Sequence, residues 1–336
     1  MPTASPAPAD APTFGPINRA YGSVFRPGKL SLGLVVPIEN YAQDPVPTMT
    51  RHRERVQLAE ELGFGAVWLR DVPFHVPSFG DAGQTYDPFV YLGLLSAWTE
   101  RIALGVASVI LPLRHPAHVA KAAATADALS GGRLLLGVAS GDRPEEYPAL
   151  NQTFPDRGDR FRYCFDYIRR MAEPFPALEN EYGDLDGRLD MLPKPTAGRL
   201  PLLITGASQQ SPEWLAQHGD GWMIYPRAAS VQERIIGDWR GRIAAAGRPD
   251  QPVMQPLYVD LTEDPKARPE AIHLGLRLGL DALHDYLTAL ERVGVNHVAL
   301  NLRFQQRDTE DVLRFVAEEL LPDFRPGPVP AEEENE

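Results

Sequence analysis

The stretch Ile102-Ala-Leu-Gly-Val-Ala-Ser-Val-Ile110 is almost uninterruptedly apolar, and so, further along, is Leu134-Leu-Leu-Gly-Val-Ala139. Between them Pro116 opens a helical segment. A strand with one wet face alternates apolar and polar residues, whereas a continuous run means that both faces are buried. Strand, helix and strand in that state read as a parallel unit covered by helices. The same reading extends outward to Leu30–Val36, Ala66–Arg70, Pro201–Thr205, Gly221–Tyr225, Val253–Leu261 and Asn296–Leu302. Leu283, Tyr286, Leu287, Leu290 and Val293 recur at helical spacing, as do Val312, Phe315, Val316 and Leu320. Thr50 to Leu62 is similar, and Gly63 closes it where a left-handed residue is needed.

Strands and helices in this alternation fit a closed α/β barrel, the (β/α)8 TIM barrel. An open doubly wound sheet would carry a Gly-x-Gly-x-x-Gly turn after its first strand, and that turn is absent. Ser140–Arg199 and Asp260–Asp281 exceed tight connections and are expected to be insertions on the catalytic rim. The barrel is expected as a single domain over residues 28–325. Residues 1–27, with Pro2, Pro6, Pro8, Pro12 and Pro16 among alanines, are expected to form a disordered or surface-hugging arm. Residues 326–336 end in Ala-Glu-Glu-Glu-Asn-Glu and are expected to be an acidic disordered tail.

The chain has 336 residues, of which 43% are hydrophobic, enough to bury a large core. Its 33 basic residues against 45 acidic ones leave a net charge of −12, which argues against a nucleic-acid or anionic-membrane surface. One cysteine, Cys164, excludes an internal disulfide framework and a Cys-rich metal site, and points to a reducing cytoplasm. No apolar run is long enough to span a bilayer, and the proline-rich start does not read as a signal peptide.

In a parallel barrel the chemistry sits where the strands end. That rule selects Glu39, Asp71 and the Phe74-His75-Phe79 loop, the Ala107-Ser108 strand end with Arg114-His115, Ser140-Gly141, and Gly206-Ala207-Ser208. Gly206 allows close backbone approach, and exposed N–H groups at the helix beginning Ser211-Pro212 favour a phosphate. Ser211 also reads as a plain N-cap with Pro212 in the first helical position, and both readings hold together. His115 reads as a base, a flavin contact or a capping residue; His75 reads as a lid contact or a packed loop histidine. Metal chemistry finds no His-Glu-x-x-His pair, and hydrolase chemistry no Gly-x-Ser-x-Gly elbow. Glu145-Glu146 is expected on a solvated face. Glu39 and Asp71 are eligible for a glycosidase, but the rim lacks aromatics arranged as a sugar platform.

Ile102–Pro116, Ala124–Asp127 and Leu129-Ser-Gly-Gly-Arg-Leu-Leu-Leu-Gly-Val-Ala-Ser-Gly141 together resemble the bacterial luciferase-like monooxygenases. Ala66-Val-Trp-Leu-Arg-Asp71, Ile204-Thr-Gly-Ala-Ser208, Glu213-Trp214 and Asp220-Gly-Trp222 support the resemblance, which spans roughly residues 28–325. It implies a barrel that binds FMN or, in a sister branch, a deazaflavin coenzyme. It implies a cis peptide at Ala107–Ser108 beneath the flavin ring, and contact of Ser140 and Gly141 with the ribityl and phosphate end. Arg160 falls where a phosphate-pairing arginine is found, and Gly206, Ala207, Ser208 and Ser211 match the phosphate loop. In luciferase itself a histidine follows the acidic residue after the second strand, but here Asp71 precedes Val72, Pro73 and Phe74, so light emission is not implied.

The expected activity is oxygenation of a small organic substrate by reduced FMN and O2 through a flavin 4a-hydroperoxide. A separate flavin reductase is expected to supply the reduced cofactor. Trp68, Asp71, Phe74, Phe79 and Trp222 are expected around the substrate, Trp68 reading equally as core packing within its strand, with His75 and His115 handling protons. The alternatives are a deazaflavin-dependent hydride-transfer enzyme and a flavin-binding protein without turnover. The resemblance further implies a homodimer paired through helices near the first strands.

Overall fold

The structure, a computed structural model, describes residues 14–328. Eight parallel strands close into a barrel: β1 (Ser31–Val35), β2 (Ala66–Leu69), β3 (Ala103–Ile110), β4 (Leu134–Ala139), β5 (Leu202–Thr205), β6 (Gly221–Met223), β7 (Val253–Leu261) and β8 (His297–Asn301). Closure runs through β8, whose His297 pairs with Ser31, and through β6, whose Met223 pairs with Met254. All eight apolar runs are strands within a residue or two of their expected ends. Helix His52–Leu62 ends at Gly63 with φ +92°, a left-handed position where a side chain would be strained.

The apolar runs hide an alternation that sorts into two buried layers. Leu32, Leu34, Val67, Leu69, Leu104, Val106, Leu134 and Leu136 face the surrounding helices. Val35, Ala66, Trp68, Ala103, Leu135, Leu203, Met223, Met254 and Ala299 fill the barrel interior. Glycine makes that interior possible. A Cβ on Gly105 would fall inside the indole of Trp68, and one on Gly33 would lie 2.6 Å from His297 Nε2. The two large rings occupy the vacated space: Trp68 Nε1 donates to His297 Nε2 at 2.9 Å. His297 Nδ1 lies 2.7 Å from Ser31 Oγ, which donates to Val24 O at 2.8 Å. Burial pushes the imidazole pKa down to about 3, so this relay stays uncharged.

Residues 14–27 are not a loose arm. Helix Arg19–Val24 is capped by Asn18, and Phe14, Ile17, Ala20, Tyr21, Val24 and Phe25 join the interior layer as its floor. The prolines before this segment concealed its apolar spacing; residues 1–13 lie outside the described residues. At the other end, Gly327 N–H donates to Ser23 O at 2.6 Å and Pro326 packs over Gly65, so the chain is docked that far. The acidic residues 329–336 lie outside the described residues.

Ser140–Arg199 is more than a rim insertion. It contains the barrel helix Arg157–Arg170, whose Phe161, Cys164, Phe165 and Ile168 are buried, as well as the hairpin Ala177–Asn180 and Gly183–Asp186. Asp260–Asp281 does add to the rim. Its hairpin Glu270–Ile272 and Gly275–Leu278 pairs with the extended end of β7. Among the described residues no helix is long and apolar enough to cross a membrane.

Candidate active site

The ends of β3, β4 and β5 form one sector of the barrel mouth. The Ala107–Ser108 peptide is cis, and the Ser108 hydroxyl, buried, is hydrogen-bonded to Thr205 Oγ1 at the end of β5. Ser140 is buried and its carbonyl accepts from the Tyr147 hydroxyl. Gly141 turns the chain at φ +77°, where a Cβ would lie 2.8 Å from Ile110 Cγ2 and 2.9 Å from Tyr147 Oη. The next turn therefore seats directly on the ends of β3 and β4.

After β5 the backbone takes positive φ at Gly206 (+56°), Ser208 (+44°) and Gln209 (+61°). Successive N–H groups in such a run point to one side and form an anion-binding concavity. A Cβ on Gly206 would meet nothing within 4 Å, so that position borders open space. Ser208 Oγ donates to Thr205 O at 2.8 Å, and Ser211 caps helix Pro212–His218 through Trp214 N–H at 3.2 Å. The hydroxyls thus shape the loop, while Gly206 N–H extends the sheet by donating to Met223 O and Gln210 N–H closes the turn on Ala207 O, each at 2.8 Å. Gln210, buried, ties it to helix Arg157–Arg170 by donating to Gly158 O at 2.8 Å and accepting from Arg162 at 2.8 and 3.1 Å. Arg160, in the first turn of that helix, reaches Tyr182 Oη at 3.4 Å. The residues expected around the cofactor, Ala107, Ser108, Ser140, Gly141, Arg160, Gly206, Ala207, Ser208 and Ser211, therefore lie on the elements of this sector. The small-residue strand end, the open cradle at Gly206 and the nearby guanidinium fit a planar ring with a phosphate tail.

The residues expected around the substrate do not converge. Trp68 is fully buried in the barrel interior, where the missing Cβ of Gly105 admits it. Trp222 points toward the helices, 5.4 Å from Trp239, and its Nε1 braces Gly206 O at 2.8 Å. Asp71 is bound bidentately by Arg114 at 2.7 and 2.9 Å and also accepts from Ile110 N–H at 3.1 Å. It fixes the end of β3 and does not face a chamber. Glu39 is likewise occupied, accepting from Thr48 N–H at 2.6 Å, so neither carboxylate considered for sugar chemistry is free. Phe74 and Phe79 lie on the loop after β2, each 41% exposed.

Neither histidine is placed as a proton carrier. His115 is the N-cap of helix Pro116–Leu129, its Nδ1 accepting from Ala117 N–H at 3.3 Å. His75 is exposed on the same loop as Phe74. Burial pushes the thiol of Cys164 up to about 12, so it is no nucleophile.

The loop after β2 is strapped across the mouth by Asp81. Its carboxylate accepts from Arg70 at 2.6 Å, Tyr41 Oη at 3.2 Å and Tyr258 Oη at 3.3 Å, with Arg303 at 3.3 Å. Those partners come from the loops or ends of β1, β2, β7 and β8. Burial opposes the charge of Asp81, but Arg70, Gly83 N–H and Arg303 hold its pKa below the usual carboxylate range. Beneath the strap lies a residue that the sequence reading placed on a solvated face. Glu145 is exposed, but Glu146 is only 3% exposed. Burial pushes its carboxyl pKa up to about 7; Arg143 and the Phe74 N–H oppose the rise, and Asp71 and Asp142 add to it. The signal is weak in sequence because helix Glu146–Ala149 has four residues and no period to read.

A family model described as luciferase-like monooxygenase matches residues 30–324. An uncharacterised Mycobacterium tuberculosis protein is 33% identical over 63% of this chain and 80% of its own length. The 4-hydroxyprotoasukamycin monooxygenase of Streptomyces nodosus subsp. asukaensis is 27% identical over 65% of this chain and 59% of its own length. Among solved structures, an F420-dependent secondary alcohol dehydrogenase superposes with a TM-score of 0.73 at 19% identity, covering 88% of this chain and 99% of the other. The oxygenating constituent of 3,6-diketocamphane monooxygenase from the CAM plasmid of Pseudomonas putida, solved with FMN, gives 0.69 at 13% identity, covering 90% and 100%. With its barrel closed, its flavin-compatible sector assembled and nearly its whole length matched, this chain belongs to the luciferase-like monooxygenase family.

Proposed function

We propose that this chain is a flavin-dependent monooxygenase that uses reduced FMN and O2 to oxygenate a small organic substrate. The observation that carries the proposal is the positive-φ loop Gly206–Gln209 beside Ser140, Gly141 and the Ala107–Ser108 strand end. In this reading the backbone amides of Ala207 and Ser208, with Arg160, hold the phosphate, and Gly206 lets it approach the backbone closely. Ser140 and Gly141 meet the ribityl chain, and Ala107 and Ser108 back the ring. Bound there, reduced FMN supplies the reaction with oxygen. The protein's share is orientation and dryness, and the Asp81 strap serves the second by fixing the loop over the mouth. Glu146, which changes charge around neutrality, takes the proton-handling role first assigned to His75 and His115.

In this reading a separate reductase supplies the reduced FMN. Two copies pair in this reading through helix Pro88–Trp98, where Val90 is 76% and Leu94 41% exposed. The barrel's likeness to an F420-dependent dehydrogenase favours a second reading, hydride transfer with that deazaflavin coenzyme. Turnover under 18O2 with enzymatically reduced FMN and a substrate panel separates the readings. Label in the product supports the monooxygenase. Substrate oxidation with F420 and no oxygen uptake supports the dehydrogenase, and flavin binding without turnover on any substrate leaves a binding protein.

A further inference from the structure

On the outer flank of the barrel, helices Arg157–Arg170 and Pro212–His218 border a cleft of about 340 Å³. Its lining carries Arg162, Arg169, Arg199 and Arg248 against the acids Asp166 and Asp220. Arg199, Asp220 and Arg248 stand just before β5, β6 and β7, at the strand starts and so opposite the mouth. Three of the four guanidiniums converge on one carboxylate. Asp220, buried, accepts from Arg169 and, at 3.0 Å, from Arg199, while Arg248 Nη2 lies 3.7 Å away. It also accepts from Leu202 N–H at 2.9 Å. Arg162 adds a fourth positive charge, and its Nε and Nη2 donate to the neutral amide of Gln210 at 3.1 and 2.8 Å.

With both acids ionised, the cleft keeps two surplus positive charges in a chain whose net charge is −12. Burial depresses the pKa of Arg248, and repulsion from Arg169 and Arg199 adds to the effect against the pull of Asp220. The cleft also offers the hydrogen bonds that an anion takes. Arg199 uses only Nη1, and its Nε and Nη2 have no partner among the described residues; Arg162 likewise keeps Nη1. Both residues are exposed, the Arg199 side chain by 44%, so these donors are reached from solvent. Guanidinium forks match the oxygens of a phosphate. A monocarboxylate would neutralise one of the two surplus charges, whereas a phosphate dianion neutralises both. We propose that this cleft binds the dianionic phosphate group of a small molecule, between Arg199 and Arg248 at one end and Arg162 at the other. The site is separate from the loop after β5, and nothing in it depends on FMN.

Calorimetric titration of the full-length chain at pH 8 and low salt tests it, in a Ser208→Asp background that closes the loop after β5 to phosphate. Inorganic phosphate and methyl phosphate are the dianionic probes, and acetate is the monoanionic one. At least one phosphate probe is expected to bind tenfold or more tighter than acetate. Adding Arg199→Ala should weaken that binding at least fivefold. Arg199→Gln, which keeps a donor for Asp220 and removes the charge, should weaken it likewise and serves if the alanine variant fails to fold. Tighter binding of methyl phosphate assigns the cleft to a phosphorylated metabolite, and equal or tighter binding of inorganic phosphate assigns it to the free ion; either upholds the site. Phosphate probes that bind no better than acetate overturn the proposal, as does phosphate affinity unmoved in the Arg199 variants. With Ser208 intact, Arg199→Ala should leave FMN affinity unchanged. A parallel loss of FMN would mean that the cleft is no site of its own, and would overturn the proposal as well.

Discussion

Glu146→Gln isolates the energetic consequence of burying a carboxyl beneath the strap. Its pKa lies near 4.5 in an ordinary setting and rises to about 7 in the fold. At 1.36 kcal/mol for each factor of ten in proton binding, that displacement corresponds to about 3 kcal/mol against the ionised folded state. The sign follows from linkage. Below pH 4.5 the group is protonated folded and unfolded, and it contributes no penalty. Between pH 4.5 and 7 only the unfolded chain gives up the proton, so stability falls as pH rises and levels off above 7. Glutamine stays neutral throughout and still accepts from the Phe74 N–H. The difference between variant and native chain should therefore grow from near zero at pH 4.5 to as much as about 3 kcal/mol at pH 8. With an unfolding entropy of about 2 cal/mol/K per residue, this is about 4 °C in Tm in favour of the variant. Paired thermal melts from pH 4.5 to 8 give the measurement, since groups common to both chains cancel in the difference. Parallel curves for the two proteins would refute the buried, proton-holding Glu146.

Two further changes test the architecture around the site. Trp68→Phe leaves His297 Nε2 without its donor and a gap beside Gly105, and is expected to cost about 3 kcal/mol, read as a lower urea midpoint at unchanged slope. Flavin affinity should be nearly unaffected, because the indole belongs to the interior and not to the mouth. Tyr147→Phe removes the hydroxyl that holds Ser140 O; it should lower stability by about 1 kcal/mol and weaken FMN binding severalfold in fluorescence titrations.

Much of the barrel is legible in the chain because its strands are buried on both sides and so appear as apolar runs without any knowledge of their neighbours. The candidate cofactor sector is legible for a related reason: glycines and serines at strand ends, as at Gly141 and Gly206, are local requirements of the backbone. What escaped depends on residues distant in sequence. Trp68 reads equally as a pocket aromatic and as core packing until Gly105 on the next strand is seen to make room for it in the interior. Asp71 reads as a free carboxylate until Arg114 folds back over it. Phe14 to Phe25 reads as a loose arm until the barrel presents a floor to fill. Glu146 reads as one of two solvated acids, and only the strap from β2, fastened by Asp81 to Arg70, Tyr41 and Tyr258, makes it a buried one.

The central claim, that the loop after β5 holds the phosphate of FMN, is tested most directly by anaerobic titration of the native chain and of Ser208→Asp with reduced FMN, with riboflavin and F420 alongside. The account predicts tight binding of reduced FMN, much weaker binding of riboflavin, which lacks the phosphate, and at least a tenfold loss in Ser208→Asp, where a carboxylate enters the concavity of backbone amides. Equal affinity for FMN and riboflavin, or an aspartate variant that binds FMN as the native chain does, would contradict it.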